Sequence, residues 1–208
     1  FITGGRLIYL THLVVARLNY HVMKALADLY SMHQFVVSGF ETSDKVPRVL
    51  YRVEPGIASN AHILVQSHTE PSWEAAGKLQ QSIVSVKSKE FNPFFSNGSE
   101  FRFRLRANPN VMKNRKRYGL IREDSLTRWL KAKENAAGAI FRSYDIVDEG
   151  YAGGFKVKNG KAHRITIKAV RYDGVLEVTD RERFQAMFTQ GIGPAKAFGY
   201  GMISLAKV

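Results

Sequence analysis

The 208-residue chain has no cysteine. That excludes disulfides, zinc–thiolate sites, iron–sulfur clusters and thiol catalysis. No apolar run approaches the ~20 residues a membrane span needs, so no membrane partner is expected. Phe1–Arg6 lacks the charged n-region and long apolar h-region of a signal peptide. Residues 1–7 read instead as a tag or an upstream extension, and a cytoplasmic location is expected. A hydrophobic fraction of 45% with 24% charged residues excludes a disordered, collagen-like or coiled-coil chain. A globular chain of this length buries roughly 70% of its unfolded surface, enough for a real core.

Acidic residues are also scarce: 18 against 31 lysines and arginines, a formal net charge of +13. The imbalance is local. Residues 102–171 hold 18 Lys/Arg and 6 Asp/Glu, whereas the other 138 residues hold 13 and 12. An even spread would suit general solubility. A concentrated basic face attracts polyanions, nucleic acid ahead of an anionic membrane.

Leu7–Leu18 is rich in β-branched residues and reads as a strand. Asn19–Ser38 has helical spacing, and Asp28 within it predicts a second helix start near Leu29. Val46–Val53 and Ala61–Gln66 read as strands around a turn at Glu54–Asn60, and Ser72–Leu79 as a short helix, so the first half is β-α-β-β with room for one further helix and strand. Composition shifts to Asn, Pro, Gly and Ser across Phe91–Ser99, which places a boundary between domains at 8–93 and 99–208. Glu100–Ala107 then alternates, with Phe101, Phe103 and Leu105 on one face and Arg102, Arg104 and Arg106 on the other. Asn110–Leu120 reads as a basic loop and Asp124–Ala137 as a helix capped by Asp124 or Ser125 and stopped by Gly138. A strand over Phe141–Tyr151 follows. Phe155–Val170 reads as a hairpin turning at Asn159–Gly160, the strongest local signal for a type I′ turn. A strand at Val175–Val178, a helix over Arg181–Thr189 capped by Asp180, and a last strand at Met202–Ala206 complete the pattern. Both halves fit a split β-α-β, so the predicted fold is α+β, two tandem ferredoxin-like (RRM-like) domains with a C-terminal glycine-rich loop.

That loop holds Gly191, Gly193, Gly199 and Gly201 around Lys196. Free amides beside glycines make an anion nest, and Lys196 would add a charge. The plainer alternative is a tight loop packed under a sheet. It is neither a P-loop nor a dinucleotide-binding fingerprint. The six histidines (His12, His21, His33, His62, His68, His163) show no HExxH or HxH spacing, so no metal or other cofactor is expected. No Gly-x-Ser-x-Gly elbow is present.

The Gly–hydrophobic–Gly pairs in QGIGPAKAFGYGMISLA (Gln190–Ala206) resemble the C-terminal signature of the CRISPR repeat-cleaving endoribonucleases, in particular the CasE, or Cascade-associated, branch. FRFRLRANP (Phe101–Pro109) resembles that branch's mid-chain signature, IYLTHLVVAR (Ile8–Arg17) its first strand, and Tyr30-Ser-Met-His33 its Tyr-x-x-His element. The likeness runs from about Ile8 to Val208. It implies metal-independent cleavage of precursor CRISPR RNA within each repeat, 3′ of the stem-loop. The 2′-hydroxyl would attack, leaving a 2′,3′-cyclic phosphate and a 5′-hydroxyl. The expected partners are the CRISPR repeat RNA stem-loop and other Cascade subunits.

Such a reaction needs a base for the 2′-hydroxyl, and imidazole titrates in the useful range. By spacing alone His33 reads as a satisfied histidine on an apolar helix. The resemblance makes it the general base, with Tyr30 orienting the phosphate or stabilising its developing charge. If Asp28 caps their helix, both lie in its first turn, with the positive helix end toward the phosphate. Expected RNA contacts are Arg102, Arg104 and Arg106 on the strand face and Lys113, Arg115, Lys116 and Arg117 in the basic loop. Lys156, Lys158, Lys161 and Arg164 on the hairpin and Gly191, Gly193, Lys196, Gly199 and Gly201 in the terminal loop complete the set. The RNP1 aromatic pattern is missing, so the open sheet face is not the expected surface. A non-catalytic subunit that only holds the RNA hairpin would use the same basic residues without needing Tyr30 and His33.

Overall fold

A strand packs against helices when every second residue is apolar, and β1 (Ile8–Ala16) buries Leu13 and Val15 in this way. The computed structural model to which it belongs describes residues 7–40, 48–54, 59–74 and 77–208. Parts of four expectations lie outside the described residues: 1–6 of the tag or extension, 46–47 of a strand, 55–58 of a turn and 75–76 of a short helix. Asn19 caps α1 (Tyr20–Ala27), its side chain accepting from the His21 and Val22 amides. Asp28 ends α1 and caps α2 (Leu29–Val37), accepting from the Ser31 amide at 2.7 Å, so the predicted pair of short helices forms. Val22 and Ala25 of α1 and Met32, Phe35 and Val36 of α2 bury against Leu13, Val15, Ile63 and Val65. Each such side chain contributes about 1.5–3 kcal/mol by leaving water.

β2 (Leu50–Glu54), β3 (Asn60–Ser67) and β4 (Ile83–Phe91) complete an antiparallel sheet of order β2-β3-β1-β4. Leu13 lies opposite Ile63 on β3 and Val86 on β4. This order, with the first and third strands central, is that of a ferredoxin-like β-α-β-β-α-β unit. The short helix expected over Ser72–Leu79 is instead a 3₁₀ turn over Gly77–Ser82, with 75–76 outside the described residues.

The second sheet repeats the arrangement. β5 (Glu100–Ala107) buries Phe103 and Leu105 and turns its arginines away, as the alternation predicts. The segment expected to be a basic loop is a hairpin, β6 (Asn110–Lys113) and β7 (Lys116–Gly119). Its turn residues Asn114 and Arg115 have φ of 50° and 61°, the signs a type I′ turn requires, but without the glycine that would have announced it. The helix expected over Asp124–Ala137 is broken into α3 (Glu123–Lys131) and α4 (Glu134–Ala137). Arg122 occupies the cap position with no side-chain cap bond, because a guanidinium has no acceptor, and Asp124 lies inside the helix with its carboxylate engaged by Arg122 and Arg128. Gly138 stops α4 in the left-handed conformation.

β8 (Ala139–Lys158) and β9 (Lys161–Val178) form one long hairpin turning at Asn159–Gly160, so the separate strand expected at Val175–Val178 is the end of β9. Asp180 caps α5 (Arg181–Gln190) through the Glu182 and Arg183 amides, and β10 (Ile203–Lys207) ends the sheet, of order β10-β5-β9-β8. Leu126, Trp129 and Leu130 of α3 and Phe184 and Phe188 of α5 are buried on this sheet. The Tyr172 hydroxyl donates to the Leu126 carbonyl at 3.2 Å.

The chain thus divides into two compact units. The first holds the described residues up to Asn92 with 152–166 and 197–199; the second holds 93–151, 167–196 and 200–208.

In the second unit a Cβ on Gly174 would collide with the Ser143 carbonyl oxygen and with Tyr144, backbone atoms that a flexible side chain cannot move aside for. Gly174→Ala should therefore cost about 1–3 kcal/mol through overpacking. Thermal denaturation would register this as a lower Tm; an unchanged Tm would show that β8 yields there.

Candidate active site

Tyr30 and His33 lie on α2, three residues apart and on one side of the helix, with ring centroids 6.3 Å apart. Two other pieces of the first unit converge on them, and a third holds one of these in place. From the hairpin end of β8, the Lys156 ammonium lies 5.5 Å from the centre of the Tyr30 ring. From the terminal loop, the Phe198 ring packs edge-on to His33 at 5.9 Å, and the neighbouring Ala197 backbone hydrogen-bonds to the imidazole. The Tyr51 hydroxyl, from β2, donates to the Ala197 carbonyl at 3.3 Å. Gly199 lets the loop lie on the Tyr51 ring, where a Cβ would come within 2.9 Å.

Burial lowers the pKa of His33 below the ordinary imidazole value, and the Lys156 charge lowers it further, while the hydrogen bond to Ala197 works in the opposite direction. The net effect keeps the ring neutral at neutral pH, the form a proton acceptor needs.

The helix end is arranged differently from the expectation. Tyr30 is in the first turn of α2, but His33 is its fifth residue and lies just beyond. Nor is the positive end open to a phosphate. The Asp28 carboxylate fills it, accepting from the Ser31 amide and, through its other oxygen, from the Phe155 amide at 2.8 Å. Burial works to raise the Asp28 pKa. The Ser31 amide and hydroxyl and the Phe155 and Tyr30 amides outweigh it and hold the carboxyl below the usual range. An anionic ligand here would meet the side chains of Tyr30, His33 and Lys156 rather than the helix amides.

The basic residues fall into distinct settings. Lys156, Lys161 and Arg164 are exposed on the hairpin end in the first unit; the Lys158 side chain lies outside the described residues. Lys113, Arg115, Lys116 and Arg117 are exposed around the β6–β7 turn of the second unit. The β5 arginines are engaged within their own sheet. Arg104 makes a two-pronged pair with Asp173, Arg106 pairs with Glu149 and lies over the Tyr200 ring, and Arg102 donates to the Lys207 carbonyl. Arg171 links Glu149 to Asp173, a network that alternation along one strand could not reveal.

Gly191, Gly193, Gly199 and Gly201 all have positive φ. Close packing accounts for them: a Cβ on Gly193 would meet the Trp129 ring and one on Gly201 the Ile192 carbonyl. The Gly191 and Gly201 amides donate to the Met187 and Arg106 carbonyls, both at 2.7 Å. Lys196 begins a 3₁₀ turn over Lys196–Phe198.

His12 and His62 hydrogen-bond to each other at 2.8 Å across β1 and β3 with stacked rings. Among the described residues no group of three or more His, Asp or Glu side chains is placed to hold a metal ion. Nor is any helix there long and apolar enough to cross a membrane. The Phe155–Asp28 bond and the Ala197–His33 contact escape sequence reading, because each joins segments more than 100 residues apart.

Comparison with known proteins gives concordant matches. A family described as CRISPR associated protein matches residues 8–207. The CRISPR-associated endoribonuclease Cse3 of Thermus thermophilus is 30% identical, over 95% of this chain and 99% of its own length. The CRISPR system Cascade subunit CasE of Escherichia coli K12 is also 30% identical, over 95% of this chain and 98% of its own. The solved structure of Thermus thermophilus Cse3 bound to an RNA representing a pre-cleavage complex superposes with a TM-score of 0.81 at 30% identity, covering 96% of this chain and 98% of that one.

An NMR titration of the free protein should give His33 a midpoint below that of an exposed histidine, and Lys156→Ala should move it upward, because a like charge that opposes protonation has gone. A midpoint unchanged by Lys156→Ala would mean that the ammonium does not reach the imidazole.

Proposed function

The chain belongs to the CRISPR-associated protein family, and from that membership we propose that it cleaves precursor CRISPR RNA within each repeat, 3′ of the stem-loop, and keeps its product. The observation that carries the reading is the convergence of Lys156 and of Ala197–Phe198 on the Tyr30–His33 pair. A protein that only held RNA would have no use for a half-buried imidazole kept neutral beside a cation.

In this reading neutral His33 takes the proton of the 2′-hydroxyl next to the scissile phosphate. The 2′-oxygen attacks phosphorus, the bond from phosphorus to the 5′-oxygen breaks, and the leaving oxygen takes up a proton. The products are a 2′,3′-cyclic phosphate and a 5′-hydroxyl, with no metal in the step. Tyr30 orients the phosphate, and Lys156 beside it offsets the charge that develops on the non-bridging oxygens. A single positioned base contributes about 10²–10⁴-fold in rate.

The RNA contacts in this reading are the exposed cations Lys156, Lys161 and Arg164 of the first unit and Lys113, Arg115, Lys116 and Arg117 of the second, with the chain's other basic residues and the glycine loop adding to them. Backbone and shape should dominate over base reading, because the A-form major groove is too narrow for side chains. The Escherichia coli relative is named as a Cascade subunit, and assembly into a complex of that kind, in the cytoplasm, is part of the proposal.

The test uses a labelled stem-loop repeat RNA in EDTA. Wild type should cut it, whereas His33→Ala and a substrate carrying a 2′-deoxy sugar before the cleavage site should both bind but resist. Cleavage that survives His33→Ala would remove the base assignment, and tight binding without any cleavage by wild type would make the protein a holder. If six to ten phosphates are contacted, affinity should fall roughly 10³–10⁵-fold between 50 and 200 mM salt, and removing Lys161 and Arg164 should flatten that slope.

A further inference from the structure

We infer that Asp28 is a positioning residue: its second carboxylate oxygen holds the β8 end of the hairpin, through the Phe155 amide, against the start of the helix that carries Tyr30 and His33, and so fixes Lys156 beside them. The inference rests on the reading of that pair as catalytic.

Capping a helix needs one acceptor. Asp28 supplies it with Oδ1, which accepts from the Ser31 amide. Its Oδ2 accepts from the Phe155 amide, 127 residues away in sequence. A hydrogen bond to an ionised carboxylate is roughly twice as strong as a neutral one. The approach is close because residue 154 is glycine. A Cβ there would lie 2.9 Å from the Leu29 nitrogen, 3.0 Å from Asp28 Oδ2 and 3.1 Å from the Tyr30 nitrogen. Lys156 is the residue after Phe155, so anchoring that amide limits where the ammonium can stand relative to the Tyr30 ring. Facing His33 are Lys156 from the hairpin, Ala197 and Phe198 from the terminal loop, and Tyr30 from its own helix.

Asp28→Asn separates the two roles. Asparagine caps helices about as well as aspartate, so its one oxygen can keep the Ser31 bond. Its amide group would then face the Phe155 N–H, donor against donor. Helix content and RNA affinity should stay near wild type. Cleavage should slow by about 10²-fold, the cost of a misplaced group of around 1 Å. The Phe155 amide should lose protection from hydrogen exchange, and the His33 midpoint should rise as it does in Lys156→Ala. Gly154→Ala keeps Asp28 but pushes the strand off the helix, and should show the same signature even if Asp28→Asn folds poorly. Adding Asp28→Asn to Lys156→Ala should cost little more than Lys156→Ala alone, because the two act through one group.

The inference is overturned if Asp28→Asn cleaves at the wild-type rate, or if the Phe155 amide stays protected in it. Loss of the catalytic reading would look different: His33→Ala would cut normally, while the exchange of the Phe155 amide would still report on the Asp28 anchor by itself.

Discussion

A helix N-terminus presents unpaired amides and a partial positive charge, which an acceptor side chain can satisfy and an anion satisfies best. At α2 that anion is the Asp28 carboxylate, and much of the candidate site follows from its position. Because Asp28 ends α1 and begins α2, Tyr30 and His33 start a fresh helix rather than continuing an old one. The magnitudes divide the labour. A cap contributes about 1 kcal/mol. The burial of Met32, Phe35 and Val36 contributes about 1.5–3 kcal/mol for each side chain, so packing holds the helix in place while Asp28 decides where it begins. The Asp28 carboxylate already occupies the start of α2. The His33 imidazole is held below its ordinary pKa by burial and by Lys156, against the hydrogen bond to Ala197.

The positive charge falls into matched and exposed groups. Arg104, Arg106 and Arg171 are matched on their sheet by Asp173 and Glu149, and the buried Lys168 ammonium by Asp148, with the Tyr151 ring 4.8 Å away. A buried ammonium without such a partner would be strongly destabilising, so these cations belong to the fold. Lys156, Lys161 and Arg164 at one hairpin end and Lys113, Arg115, Lys116 and Arg117 at the other are exposed, open to a polyanion.

Local signals were the legible part of the sequence. Asp28 divided the helices, Asn159–Gly160 turned the long hairpin, Asp180 capped α5, and the Phe/Arg alternation placed β5 with its apolar face inward. What escaped was either unusual turn chemistry or contact at long range. Asn114 and Arg115 make a left-handed turn without glycine, so β6 and β7 read as a loop. Asp124 looked like a helix cap, yet two arginines engage it, and α3 starts without a side-chain cap. The partners of Arg104 and Arg106 lie 69 and 43 residues away, beyond any reading of one strand. The same limit hid the way Phe155 and Ala197 reach α2.

The terminal glycine segment shows why a motif and its physical role need separate arguments. Its spacing carries the family resemblance, and a nest of free amides is the natural expectation for it. Its glycines instead answer steric demands: Trp129 and Ile192 in the second unit, Tyr51 in the first. Two of its amides are already bonded within the protein. The residues that touch the imidazole are the non-glycine pair between them, Ala197 through its backbone and Phe198 through its ring. Glycines at the flanks allow the backbone to lie flat on Tyr51, and Tyr51 then holds the Ala197 carbonyl. The loop thus holds a fixed backbone against a histidine, where a nest would need an open one.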